Sequence, residues 1–205
     1  MTSLTSLSSS DRPAFDPRGG FDFAARFAAG LPYQAFLDQY GTEEHRRRWN
    51  QVGQRIRLTD SQRELMGSFR RQMKVLCLAG AWCGDCVNQC PILKAFADAS
   101  PLIDLRFVDR DADPALSGRL AICGGARVPT VLFLSEDDFP CGTVGDRTLS
   151  KYRQLGATLA GAACPVGLGD EQQLLDAVVQ DWLNEFERVQ WMLRTSARLR
   201  QKHGD

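Results

Sequence analysis

Two cysteines separated by two residues, Cys83 and Cys86, stand where an apolar run meets a helix-like segment. The run Val75-Leu76-Cys77-Leu78-Ala79 precedes them and reads as a strand that is apolar on both faces. Such a strand has to lie in the middle of a sheet with helices covering both sides. Val87 to Ala99 follows and reads as one of those helices. The junction therefore commits the chain to α/β layers, with a pair of thiols at the C-terminal end of a central strand. Cys-X-X-Cys in that place points to dithiol chemistry, or to a metal if further ligands converge on it.

Composition narrows the setting. Equal numbers of acidic and basic residues give a formal net charge of zero, which argues against a general nucleic-acid binder, since that needs a basic footprint. No run approaches the ~20 apolar residues that span a bilayer, so no membrane partner is expected. Met1 to Ser10 is rich in Ser and Thr and has neither a basic start nor an apolar core, so no secretory signal is expected. The cysteine count is seven, and an odd number cannot all pair within one chain. A cytoplasmic location, with reduced thiols, follows as the expectation.

Periodicity places the other elements. Residues 1–20 combine Ser, Pro, Gly and charge and read as a flexible tail. A helical extension follows over 21–59. Phe23, Phe27 and Leu31 recur at spacing four up to Gly30-Leu31-Pro32, and Tyr33, Phe36, Leu37 and Tyr40 run to Gly41. Thr42 suits an N-cap for a helix with Glu43 and Glu44 in its first turn. The basic run Arg46-Arg47-Arg48 reads as a solvated face of that helix. Ser61-Gln62-Arg63-Glu64 fits a capping box for a helix carrying Leu65, Met66 and Phe69 inward. Beyond the cysteines, strands are expected at Leu102–Val108 and Val131–Leu134, and an edge strand at Gly142–Val144. Helices are expected at Ala115–Ile122 and Leu149–Ala160. Asp170 caps a last helix with Leu174, Val178, Trp182, Phe186, Val189 and Leu193 in register. That stripe packs on the domain or forms a homodimer interface.

Trp82-Cys83-Gly84-Asp85-Cys86, Pro91 five residues after the second cysteine, and the distant Val128-Pro129-Thr130 opening a strand together resemble the thioredoxin superfamily. The narrower likeness is to bacterial thioredoxin-like proteins with Trp-Cys-Gly-Asp-Cys and a Gly-x-Arg, here Gly145-Asp146-Arg147. The resemblance covers about residues 60–160. It implies a thioredoxin-like fold: a central mixed sheet flanked by helices over 60–169, extended by the N-terminal helices and by the C-terminal helix of 170–205. It implies a protein-disulfide reductase that works through a reversible Cys83–Cys86 disulfide. Such an enzyme has no bound cofactor and needs a protein disulfide substrate and an electron-donor reductase. Cys83 would attack and Cys86 resolve, with Trp82 as an apolar wall and Gly84 leaving the approach open. Pro129 would be cis, leaving the Val128 backbone to pair with substrate.

Three departures from the family pattern stand out. Asp85 puts a carboxylate beside Cys83, which should oppose its thiolate. Cys77 occupies the place of a buried acid that many thioredoxins have six residues before the first cysteine. Val128 replaces the more usual Ile or Thr. Of the remaining cysteines, Cys90 reads as a small buried residue beside Pro91, as a regulatory thiol, or as a ligand with Cys83 and Cys86 in a metal or iron–sulfur carrier. Cys77 reads as core and Cys123 as packing near Pro129, while Cys141 and Cys164 read as loop thiols. His45 and His203 read as solvent-facing. A docking module for a dedicated partner is the remaining alternative.

Overall fold

A computed structural model describes residues 19–160 and 170–204 of the chain. Four strands form one sheet: β1 (Met73–Ala79), β2 (Ile103–Asp109), β3 (Thr130–Leu134) and β4 (Pro140–Gly145), in the order β2-β1-β3-β4. β1 is parallel to β2 and antiparallel to β3, which pairs antiparallel with β4. The mixed sheet is the thioredoxin-like architecture expected. β1 lies in the interior of the sheet, and every residue from Val75 to Ala79 is buried, which is why it is apolar throughout.

Register decides what each face carries. Cys77 stands opposite Phe107 and Val131, and Val75 opposite Leu105 and Phe133, so Cys77, Phe107 and Phe133 share a face. The helix that starts at the cysteine motif, α5 (Gly84–Ala99), lies on that face. Beside it are α3 (Glu43–Arg55) and α8 (Glu171–Thr195). Phe186 of α8 sits edge-on to both Phe96 of α5 and Phe133 of β3, at 5.2 and 5.1 Å. Phe107 meets Phe36 of α2 (Tyr33–Tyr40) and Trp49 of α3. The N-terminal helices and α8 thus share one core with the sheet. On the opposite face, Gly30 closes against Arg106 and Leu76: an added Cβ there would come within 2.8 Å of the Arg106 Cβ. This is where α1 (Phe23–Ala29) ends.

Caps fix the helix starts. Asp22, Thr42 and Asp170 accept from the backbone N–H three residues on. Helix α4 (Asp60–Gly67) begins two residues earlier than the Ser61 box suggests. Thr59 is the N-cap, and Gln62 returns the bond to its backbone. The predicted boundary missed because Thr59 and Ser61 are both competent caps, and the arrival direction of the chain chooses between them. Phe69 lies past the end of α4 yet is buried.

Three other expectations are corrected. Leu31 is not helical; it exchanges backbone bonds with Phe107 at the edge of β2. The helix expected to reach Ile122 is α6 (Pro114–Arg119), because Ile122 pairs with Gly125 across a tight turn. Cys141 lies in β4 and not in a loop. His203, in α9 (Ala197–His203), is exposed as expected and also pairs with Glu136.

The apolar stripe of α8 is buried within the chain: Val178, Trp182, Phe186, Val189 and Leu193 are all covered. Gln190 on the same helix accepts from the backbone N–H groups of Arg70 and Arg71 at 3.0 and 2.7 Å. It also donates to the Arg71 carbonyl at 2.9 Å. That clamp fixes the chain just before β1. Among the described residues, no helix is long and apolar enough to cross a membrane.

Candidate active site

The site grows from the end of β1. Gly80 follows the strand, and an added Cβ there would strike the Trp82 ring at 2.8 Å, so glycine is required for the indole to fold back. Trp82 remains 47% exposed, with the Arg110 guanidinium stacked on it at 4.6 Å. Ala81 gives its carbonyl to the indole N–H of Trp49 at 2.9 Å. Trp49 is fully buried on α3. Nothing in the motif announced this contact, since the two residues are thirty-two apart in sequence.

Cys83 is the N-cap of α5, where unpaired backbone N–H groups favour negative charge. It is partly exposed, whereas Cys86, one turn in, is completely buried. Nothing would crowd a side chain at Gly84, so the face over Cys83 is open. The Cys83 sulfur lies 3.4 Å from the Val128 carbonyl and in hydrogen-bonding contact with Cys86. Its one proton serves a single acceptor at a time. The Val128–Pro129 peptide is cis, and both residues are buried beneath the cysteines.

The two thiols divide one proton unequally. Burial pushes Cys86 up, but hydrogen bonds from Cys83, from Cys90 and from the Gly80 N–H at 3.4 Å outweigh it and bring Cys86 down to about 5. Cys83 is pushed up, first because its thiol donates to Cys86 and then by burial. Cys86 therefore ionises first, and Cys83 keeps the shared proton. The buried thiolate is thus held by hydrogen bonds although no acid stands at position 77.

Asp85 does not act alone on this pair. Arg147 holds its carboxylate at 2.7 Å and offsets its charge. Arg147 also reaches Asp146, at 3.6 Å. Asp146 in turn accepts from Tyr152 and, at 3.1 Å, from Arg127. Burial raises the Asp146 carboxyl, but these donors and the Arg147 charge hold it below the usual carboxylate range. The Asp146 carbonyl accepts from Gln89 of α5 at 2.9 Å, and Gln89 accepts from the buried Trp182 indole at 3.1 Å. Gly145 lets this segment approach Pro129: a Cβ there would lie 2.5 Å from the Pro129 carbonyl oxygen. The chain from Trp182 through Gln89 and Asp146 to Arg147 and Asp85 was invisible in the sequence, apart from the Gly-x-Arg pattern at its centre.

A cavity of about 210 Å³ opens beside Asp85, between α5, α8 and α7 (Leu149–Ala160). Lys151, Gln154, Leu174 and Val178 help to line it.

The structure does not group every cysteine here. Cys123 is exposed in a left-handed turn (φ 51°), against the expectation that it packs. Cys164 lies outside the described residues. Among those described, no group of three or more His, Cys, Asp or Glu side chains is arranged to hold a metal ion, and Cys83, Cys86 and Cys90 are no exception.

A family model for thioredoxin matches residues 30–148, more than half of the sequence. The chain belongs to this thioredoxin family. The match starts ahead of the sheet and takes in α2 and α3 of the thioredoxin-like chain. No curated protein matches it. A protein of unknown function from Pseudomonas aeruginosa has a similar crystal structure, with TM-score 0.60 and 22% identity, covering 80% of this chain and 97% of that one. An HIV epitope-scaffold is similar to the same degree, with TM-score 0.59 and 21% identity, covering 80% and 98%. Both likenesses concern the fold alone.

Proposed function

We propose that this member of the thioredoxin family is a thiol–disulfide oxidoreductase that reduces protein disulfides through a reversible Cys83–Cys86 disulfide. The observation that carries the reading is the hydrogen-bonded pairing of a partly exposed Cys83 with a buried Cys86 at the first turn of α5. Cys83 gives up its proton and its sulfur attacks one sulfur of a substrate disulfide. The substrate disulfide breaks, a mixed disulfide forms, and one substrate thiolate leaves. The Cys86 thiolate attacks the Cys83 sulfur, and the substrate sulfur that leaves takes up a proton from solvent. The Cys83–Cys86 bond forms and the second substrate thiol is released.

Trp82 and Gly84 shape the approach, and Val128 and Pro129 form the floor beneath the thiols and face an extended substrate. Asp85, neutralised by Arg147, holds the first turn of α5 in place. An external dithiol donor, such as a reductase in a reducing cytoplasm, returns the pair to its thiol form, and no bound cofactor is required. Reduction of insulin disulfides, driven by dithiothreitol, tests the reading. The wild type should accelerate it and Cys83→Ser should abolish the acceleration. An inactive wild type, or an active Cys83→Ser, would remove the proposal.

A further inference from the structure

Two more thiols lie directly behind the pair. Cys90 is one helical turn below Cys86 on α5, and the two side chains are in hydrogen-bonding contact. Cys77, across from it on β1, has its sulfur 3.9 Å from that of Cys90. Four sulfurs therefore run in unbroken contact from the surface to the core, in the order Cys83, Cys86, Cys90, Cys77. The last three are completely buried. A single buried cysteine is explained as a small apolar side chain. A line of four in contact, leading inward from an accessible dithiol, has the layout of an exchange path.

We propose that Cys77 and Cys90 form a second, buried redox dithiol that is oxidised by transfer from the Cys83–Cys86 disulfide. This rests on the reading of Cys83 and Cys86 as a redox pair. In the first step the Cys90 thiol loses its proton and its sulfur attacks Cys86. The Cys83–Cys86 bond breaks, Cys86–Cys90 forms, and Cys83 leaves as a thiolate that takes up a proton. In the second step the Cys77 thiol loses its proton and its sulfur attacks Cys90. The Cys86–Cys90 bond breaks, Cys77–Cys90 forms, and Cys86 is released as a thiol. Cys77 and Cys90 lose two electrons and Cys83 and Cys86 gain them. The oxidant is the substrate disulfide that oxidised the outer pair.

Sulfurs in a disulfide are ~2.05 Å apart, so the inner pair must close by about 2 Å, which side-chain rotation can supply. Burial pushes both inner thiols up, so transfer is slower than substrate reduction. The outer pair emerges reduced while the oxidation is held inside. One fully reduced molecule can then reduce two substrate disulfides before it meets a donor.

The test uses the fully reduced, full-length protein and one equivalent of oxidised glutathione. Samples are quenched in acid over time, alkylated in denaturant and mapped by mass spectrometry. Chymotryptic cleavage after Trp82 separates Cys77 from the other three cysteines, so a Cys77–Cys90 bond links two fragments and a Cys83–Cys86 bond does not. The expected result is an early Cys83–Cys86 signal that falls as Cys77–Cys90 rises, with the total thiol count constant during the exchange. A second equivalent should restore Cys83–Cys86, doubling the oxidising equivalents taken up relative to Cys90→Ala. A Cys83–Cys86 bond that persists without any Cys77–Cys90 bond overturns the inner dithiol and leaves the proposed function standing. Failure to form Cys83–Cys86, together with no insulin reduction, overturns both. A Cys77–Cys90 bond forming at the wild-type rate in Cys83→Ser overturns the transfer route. The wild-type time course decides the matter even if a variant does not fold.

Discussion

Two tryptophans hold the site from opposite flanks of α5, and they hold different things. Trp49 comes from the helices before the sheet, and Trp182 from the helix after it. Both are fully buried, and both direct an indole N–H toward the site. Trp49 donates straight to the backbone of the cysteine loop, at Ala81. Trp182 donates to the Gln89 side chain, which passes the constraint to the Asp146 carbonyl and so to the Arg147–Asp85 pair. The N-terminal flank thus fixes where the thiols are, and the C-terminal flank fixes the charges around them. A buried donor matters in both cases because the acceptor it serves would otherwise be desolvated and unpaired.

The largest effect expected from breaking this arrangement is on stability. Trp49→Ala should cost about 3–5 kcal/mol in denaturant unfolding, from the cavity and the orphaned Ala81 carbonyl together. Trp49→Phe should cost about 1–3 kcal/mol and also slow insulin reduction. A stable but slow Trp49→Phe separates the positioning of the loop from simple packing.

The proton shared by the thiols is tested by the pH dependence of Cys83 alkylation. The Cys83 pKa is raised in the folded protein because its thiol donates to Cys86. In Cys86→Ala that acceptor is gone, the thiolate forms more readily, and the labelling midpoint should move to lower pH. A midpoint that stays put or rises would show that the proton is not shared.

On the other flank, Arg147→Gln leaves the Asp85 carboxylate uncompensated beside the pair. Its field opposes the Cys86 thiolate that resolves the mixed disulfide, so turnover near neutral pH should fall by about two- to tenfold. Asp85→Asn in that background should restore it. In a double-mutant cycle Trp182→Phe should be non-additive with Arg147→Gln, whereas Trp49→Phe should be additive with it. The reverse pattern would dissolve the division of labour between the flanks. The smallest effect is the control: Glu44→Ala removes the exposed pair with Arg47 and should change stability by no more than about 0.5 kcal/mol.

Much of the fold was legible in local patterns. The both-faces-apolar run at Val75–Ala79 is a strand because it is buried on both faces, and its composition states that directly. The starts of α3 and α8 were legible because Thr42 and Asp170 cap them through bonds only three residues long. Where local signals competed, as with Thr59 and Ser61, or were overridden by a distant partner, as with Leu31 and Phe107, the reading slipped. Asp85 shows the same limit in electrostatics: from the sequence it is a bare carboxylate beside a thiol, and only the fold brings Arg147 to it.

By itself the sequence determined that a dithiol would stand at the junction of a central strand and a helix. Apolar runs, caps and the Cys-X-X-Cys spacing act over a few residues and need no tertiary contact to be read. Tertiary structure alone decided the surroundings of that dithiol. It set Trp49 under Ala81, Val128 against Cys83, Arg147 on Asp85, and Cys77 next to Cys90. Those contacts join residues that chain order keeps apart, and their energies depend on burial and distance, which exist only once the chain has folded.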